Sequence, residues 1–182
     1  DPPLKTQQIR GAKTVHVRKS TNDKRRATAA LTCTAADNFL RPMIIFKGMA
    51  KGRIEKNELP TFDPTSDYLC QKNVWMDKRC MLAWAKECIG SFLLLCPPPA
   101  GIMPVILLDS YRCHLMGSVV RAIQELGVEV IHIPGGCTGL LQPLDVGLNK
   151  PFKVRVRASW EEWMMASIDR YDEIRAPLCK DT

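Results

Sequence analysis

Residues 104–152 read PVILLDSYRCHLMGSVVRAIQELGVEVIHIPGGCTGLLQPLDVGLNKPF. The segment Val105-Ile106-Leu107-Leu108 is wholly apolar, stops at Asp109 and runs into the polar turn Ser110-Tyr111-Arg112, as does a buried strand of a sheet covered on both faces. From Ser118 to Leu126 the apolar residues Val119, Val120, Ile123 and Leu126 recur at helical spacing, and Gly127 supplies a stop. Val128 to Ile133 then reads as a second strand, so the segment predicts a β-α-β unit. A glycine-rich loop, Pro134 to Gly139, leads into Leu140-Leu141-Gln142-Pro143-Leu144-Asp145. There Pro143 and the series Leu144, Leu148, Phe152 announce another helix. Two acids stand at positions that matter: Asp109 at a strand end, where open α/β sheets place their chemistry, and Asp145 in the first turn of a helix.

Working outward, Ala27 to Ala35 reads as a strand, Ala36-Asp37-Asn38 as a turn and Pro42 to Phe46 as the antiparallel partner. Asp37 is assigned to the turn, where Asp and Asn are chosen for backbone reasons. Residues 48–73 form a polar excursion with little periodicity, and Arg53, Asp63 and Asp67 within it receive no role. Asp77 caps a helix running to about Leu93, with Met81, Trp84, Ala85, Cys88, Ile89 and Phe92 on one face. Trp84 is expected in the core. Beyond Phe152 a helix continues or restarts over Val154 to Met165, with a kink expected at Pro151, and residues 169–182 carry no strong pattern.

The chain has 182 residues, 46% hydrophobic and 25% charged, which suits one globular domain with a real core. Its apolar runs are too short to span a membrane, and no secretory signal segment opens it. Eight cysteines are scattered singly without a CxxC pair, so neither a zinc site nor a thioredoxin-like motif is indicated, and they are read as reduced and structural. Cys113 beside His114 is a poor nucleophile and base pair, because adjacent residues do not readily hydrogen-bond in that arrangement. The net charge of +7 is one-sided. Residues 1–56 hold thirteen Lys and Arg against four acids, a balance of +9, and the remainder balances at −2. The densest cluster, with Arg18, Lys19, Lys24, Arg25 and Arg26, is the composition of a phosphate-backbone contact, although many such runs are only solvated surface.

The strand ending LLDSYRCH, the strand VEVIHIP and above all GLLQPLDVGLNKPFK resemble the DDE-type transposases of the pogo/Tigger/jerky branch of the mariner superfamily. ATAALTCTAADNFLRPMIIFKG is similar to that family's strand-turn-strand segment, and WMDKRCMLAWAKECIGSFL to its following helix. The resemblance implies an α/β, ribonuclease H-like mixed sheet flanked by helices, over residues 1–168 with a tail at 169–182. It implies that Asp109 and Asp145 are the second and third catalytic acids and hold Mg²⁺ or Mn²⁺. It also implies DNA as the partner, a nuclear location, a homodimer in the full-length protein, and no small-molecule cofactor. A lone Asp at a strand end reads first as a turn or cap residue; two in this motif read as metal ligands. His114 is open between a phosphate or metal contact and a packing role. The family's first acid lies on an opening strand that has no match here, so the sheet is expected to lack its first strand. Three functions are weighed: a metal-dependent transposase catalytic domain, a domesticated non-catalytic nuclear DNA-binding protein, and an unrelated α/β enzyme. The last lacks support, since the loop at Gly135-Gly136-Cys137-Thr138-Gly139 has neither the Lys nor the spacing of a phosphate-binding loop.

Overall fold

The computed structural model describes the backbone of residues 26–36 and 38–175 and the side chains of those up to 166. Arg18, Lys19, Lys24, Arg25 and the turn residue Asp37 lie outside the described residues. Strand β1 (Ala27–Ala30) pairs antiparallel with β2 (Met43–Lys47), Ala27 opposite Phe46 and Ala30 opposite Met43, which is the expected hairpin with a shorter first strand. The ladder ends early because Thr34 Oγ1 accepts from the N–H groups of Ala36 and Asn38, at 3.3 and 3.2 Å, and folds the chain into a turn.

The polar excursion contains a strand that periodicity does not reveal. β3 (Asp67–Gln71) pairs parallel with β2, giving a three-stranded mixed sheet of order β1-β2-β3. Its cross-chain partners, not its own composition, fix it. Glu55 Oε2 accepts the Cys70 N–H at 3.1 Å while Oε1 takes the Arg79 guanidinium at 3.2 Å, and Arg79 also donates to the Cys70 carbonyl. Phe46, Phe62 and Tyr68 pack edge-to-face and stacked at 5.4–6.2 Å on the same region. Of the unassigned acids, Asp67 pairs with Arg41 at 2.9 Å, and Asp63 Oδ1 accepts the Thr65 N–H.

Helix α1 spans residues 78–95 as the contiguous segments Lys78–Trp84, Ala85–Gly90 and Ser91–Leu95, the middle one a widened turn. Asp77 caps it, Oδ1 accepting from the Cys80 N–H at 2.9 Å. Trp84 is buried, as expected, and its indole N–H donates to Thr32 Oγ1 at 3.1 Å.

β4 (Val105–Leu108), α2 (Gly117–Gln124) and β5 (Glu129–His132) form the expected β-α-β unit, with the strands parallel and Leu107 opposite Ile131. Gly127 takes a positive φ of 78° at the turn between α2 and β5. Two expectations are corrected. Among the described residues the strands form a second, two-stranded sheet that does not pair with β1-β2-β3. Nor, among the described residues, is β4 covered on both faces: Leu108 is 7% exposed, whereas Val105 and Leu107 are 51% and 50% exposed. One face of the pair packs on α2 and joins through it the core shared with α1, and nothing among the described residues covers the other. A single core still joins the two sheets, running from Met43 and Ile45 through Met81 and Cys88 to Leu108, Val119 and Ile123.

The last part of the chain stands apart from that core. α3 (Thr138–Leu141) is followed by a widened turn over Leu144–Leu148 and by α4 (Asn149–Arg175). α4 passes through Pro151 without interruption. The departure from α geometry falls in the turn before it, where the Asn149 N–H reaches back to the Leu144 carbonyl. No described residue after Ile133 is buried, and Leu140, Val146, Trp160 and Trp163 are more than half exposed. Among the described residues no helix is long and apolar enough to cross a membrane.

Candidate active site

Asp109 is the first residue past β4, so the strand's register and the burial of Leu108 fix its backbone. Its Oδ1 accepts the Tyr111 N–H at 3.0 Å and lies 2.6 Å from His114 Nδ1. The same Nδ1 is 3.2 Å from the Asp109 carbonyl oxygen. Both neighbours are acceptors, so Nδ1 carries the proton. The imidazole meets the edge of Tyr111 at 5.7 Å between ring centres. Behind it, His132 Nε2 donates to the His114 carbonyl at 3.1 Å, and Ser110 Oγ donates to the Ile133 carbonyl at 2.6 Å. The loops leaving β4 and β5 are thereby joined, and Asp109 Oδ2 has no partner among the described residues.

His114, ambiguous in the sequence, has its Nδ1 on Asp109. His132 escapes the sequence reading, although its place on the core-facing side of an alternating strand, opposite Leu108, is a usable signal. The Cys113 thiol is buried and burial pushes its pKa up, which suits a packing group and not a nucleophile.

Asp145 is exposed in the widened turn at the head of α4. Its Oδ1 accepts from Asn149 Nδ2 at 2.5 Å, a partner one helical turn on that the sequence reading also passes over. Asn149, Lys150, Lys153, Val154 and Arg157 line an open groove with it. Each candidate acid therefore has one oxygen engaged and one free among the described residues. Hard carboxylate oxygens of this kind suit Mg²⁺ or Mn²⁺. No hydrogen bond or ion pair links Asp109 to Asp145, and among the described residues no three His, Cys, Asp or Glu side chains come together to hold a metal. Arg26 is exposed immediately before β1, the described member of the basic cluster.

Over 165 residues, 91% of its length, the chain is 29% identical to a Mus musculus "Pogo transposable element with KRAB domain" and 28% identical to its Homo sapiens counterpart. It spans 26% of the length of each of those relatives. No solved structure matches it. The family model described as DDE superfamily endonuclease matches residues 24–179, a stretch that includes both sheets, Asp109, His114 and Asp145, and the chain belongs to that family.

Proposed function

We propose that this chain is the catalytic part of a DNA transposase with a ribonuclease H-like fold, in which Asp109 and Asp145 hold Mg²⁺ or Mn²⁺ for phosphodiester cleavage. The observation that carries the reading is Asp109 itself: an acid at the exit of a parallel strand, one carboxylate oxygen held by Tyr111 and His114 and the other unengaged. When bound, divalent ions activate a water or 3′-hydroxyl and stabilise the leaving oxygen of an in-line displacement. The acids act as ligands and not as proton-transfer groups. Lys150, Lys153 and Arg157 beside Asp145 are suited to contact phosphates, and the cluster Arg18, Lys19, Lys24, Arg25 and Arg26 to hold the DNA backbone without sequence preference. DNA as substrate suits a nuclear location, and a homodimer in the longer protein suits an enzyme that handles two DNA ends.

The family's first acid has no match in this sequence, so the 182 residues alone are expected to bind DNA without cutting it. A longer chain that supplies the opening strand should nick plasmid DNA with Mg²⁺ or Mn²⁺, and Asp109→Asn or Asp145→Asn should abolish nicking with DNA affinity largely kept. Nicking by the short chain that disappears with Asp145→Asn would mean that the first acid has been misplaced, and the terminal Asp1 and the turn residue Asp37 would then have to be reconsidered. Nicking indifferent to both substitutions overturns the assignment of the acids. A second reading, a domesticated DNA-binding protein without catalysis, draws on the lack of a three-ligand cluster among the described residues. A longer chain that binds DNA and never nicks would favour it.

A further inference from the structure

We propose that His114 is a positioning residue for Asp109: its Nδ1–H holds Oδ1 and so turns Oδ2 outward as the single oxygen offered to a metal. This rests on the reading of Asp109 as a ligand. A carboxylate on an unconstrained Cβ–Cγ bond presents either oxygen, or both, and Mg²⁺ is intolerant of that variability because it requires near-octahedral geometry at about 2.0–2.1 Å. Two donors remove the freedom here. The Tyr111 N–H and His114 Nδ1 converge on the same oxygen, the second at 2.6 Å, a little shorter than the usual span of about 2.7–2.9 Å for a charge-assisted N–H···O bond.

The residue is itself held by contacts that do not depend on Asp109's carboxylate. His132 Nε2, from the neighbouring strand, fixes the His114 carbonyl, Tyr111 meets the ring edge-on, and the side chain is only 17% exposed. His114 thus transmits the rigidity of the β4-β5 pair to one carboxylate oxygen. A ring that merely filled space would not need two of Asp109's three oxygens, Oδ1 and the carbonyl, at one nitrogen.

The test begins on the unaltered, metal-free chain. A long-range ¹H–¹⁵N spectrum should give His114 as the Nδ1-protonated tautomer, and Asp109→Ala should change its signals; the Nε2-protonated tautomer overturns the proposal. Mn²⁺ titration, read as paramagnetic broadening of the amides around Asp109, then measures affinity. His114→Leu should weaken Asp109-dependent broadening about tenfold or more, the usual effect of losing such a supporting group. His114→Asn, whose amide nitrogen is bonded to Cγ as Nδ1 is, should restore it to within a few fold, while the two variants lose similar thermal stability without metal. Wild-type affinity in the Leu variant, or equal loss in both, overturns the positioning role alone. Absence of any Asp109-dependent broadening in the wild type overturns the ligand reading and the proposal with it.

Discussion

Leu107 and Leu108 are neighbours of identical chemistry on the strand that delivers Asp109, yet one is half exposed and the other 7% exposed. Truncating each to Ala therefore measures how the site strand is covered. Leu108→Ala removes core atoms packed within the cluster of Val119, Ile123 and Val128 and leaves a cavity, a change that costs about 2–5 kcal/mol. Leu107→Ala leaves no cavity. It forfeits roughly half of a leucine's burial term, about 1 kcal/mol when full burial is worth about 1.5–3. The expected ratio is at least twofold. In a chain of this size each kcal/mol moves the melting temperature by about 2–4 °C, so the Leu108 variant should melt at least ~4 °C below wild type and the Leu107 variant ~2–4 °C below it. Urea unfolding followed by circular dichroism should give the same ratio from the midpoints at an unchanged m-value. Equal losses at the two positions would refute the reasoning, because they would mean that the outer face of β4 is covered in solution and that the strand lies inside a sheet packed on both sides.

Asp77→Ala should cost about 1 kcal/mol through loss of the α1 cap. Burial opposes ionisation of Asp77, but the Cys80 N–H and thiol, the Gln71 side chain and Arg79 together hold its pKa below the usual carboxylate range. The folded pKa is the lowered one, so this contribution is present above the unfolded value near ~4 and disappears as pH falls through the folded value; wild type and variant should converge in acid melts. Arg79→Met leaves Glu55 and the Cys70 carbonyl without their shared donor and should cost about 1–3 kcal/mol in chemical denaturation. Reversing the charge of Lys24, Arg25 and Arg26 should weaken DNA binding evenly across sequences and lower the salt slope by about one for each phosphate no longer neutralised, as read by fluorescence anisotropy; an unchanged slope would make the cluster plain solvated surface.

The sequence discloses those elements whose stability is set by their own residues. The run Val105 to Leu108, the stop at Gly127 and the cap at Asp77 each combine a local composition with a local backbone requirement, and each stands at its expected place. β3 is not legible because Asp67-Tyr68-Leu69-Cys70-Gln71 has only three apolar residues. Its ladder depends on Met43–Lys47, far back along the chain, and on a carboxylate at Glu55. The bare face of β4 is misread for a related reason. A wholly apolar strand specifies that it tolerates cover on both sides, not that cover is present.

The two acids differ in the same way, and the difference explains why the motif is readable while the site is only half so. Asp109 inherits its position from a strand whose core-facing residue is buried, and its orientation from groups two and five residues on, so a short stretch of chain determines both. Asp145 has its orientation set as locally, by Asn149 one turn away. Its position depends on where the head of α4 docks, and docking is a matter of apolar surface meeting apolar surface. Leu148, Phe152, Val156, Trp160 and Trp163 follow one another at spacings of three and four, which specifies a helix with an apolar stripe. Nothing in that spacing names the surface it meets, and in the fold Val156, Trp160 and Trp163 remain more than half exposed. Local chemistry therefore sets the orientation of each carboxylate, but bringing the two together, as the proposed shared ion requires, is a long-range packing step that acts on exposed side chains far from either acid.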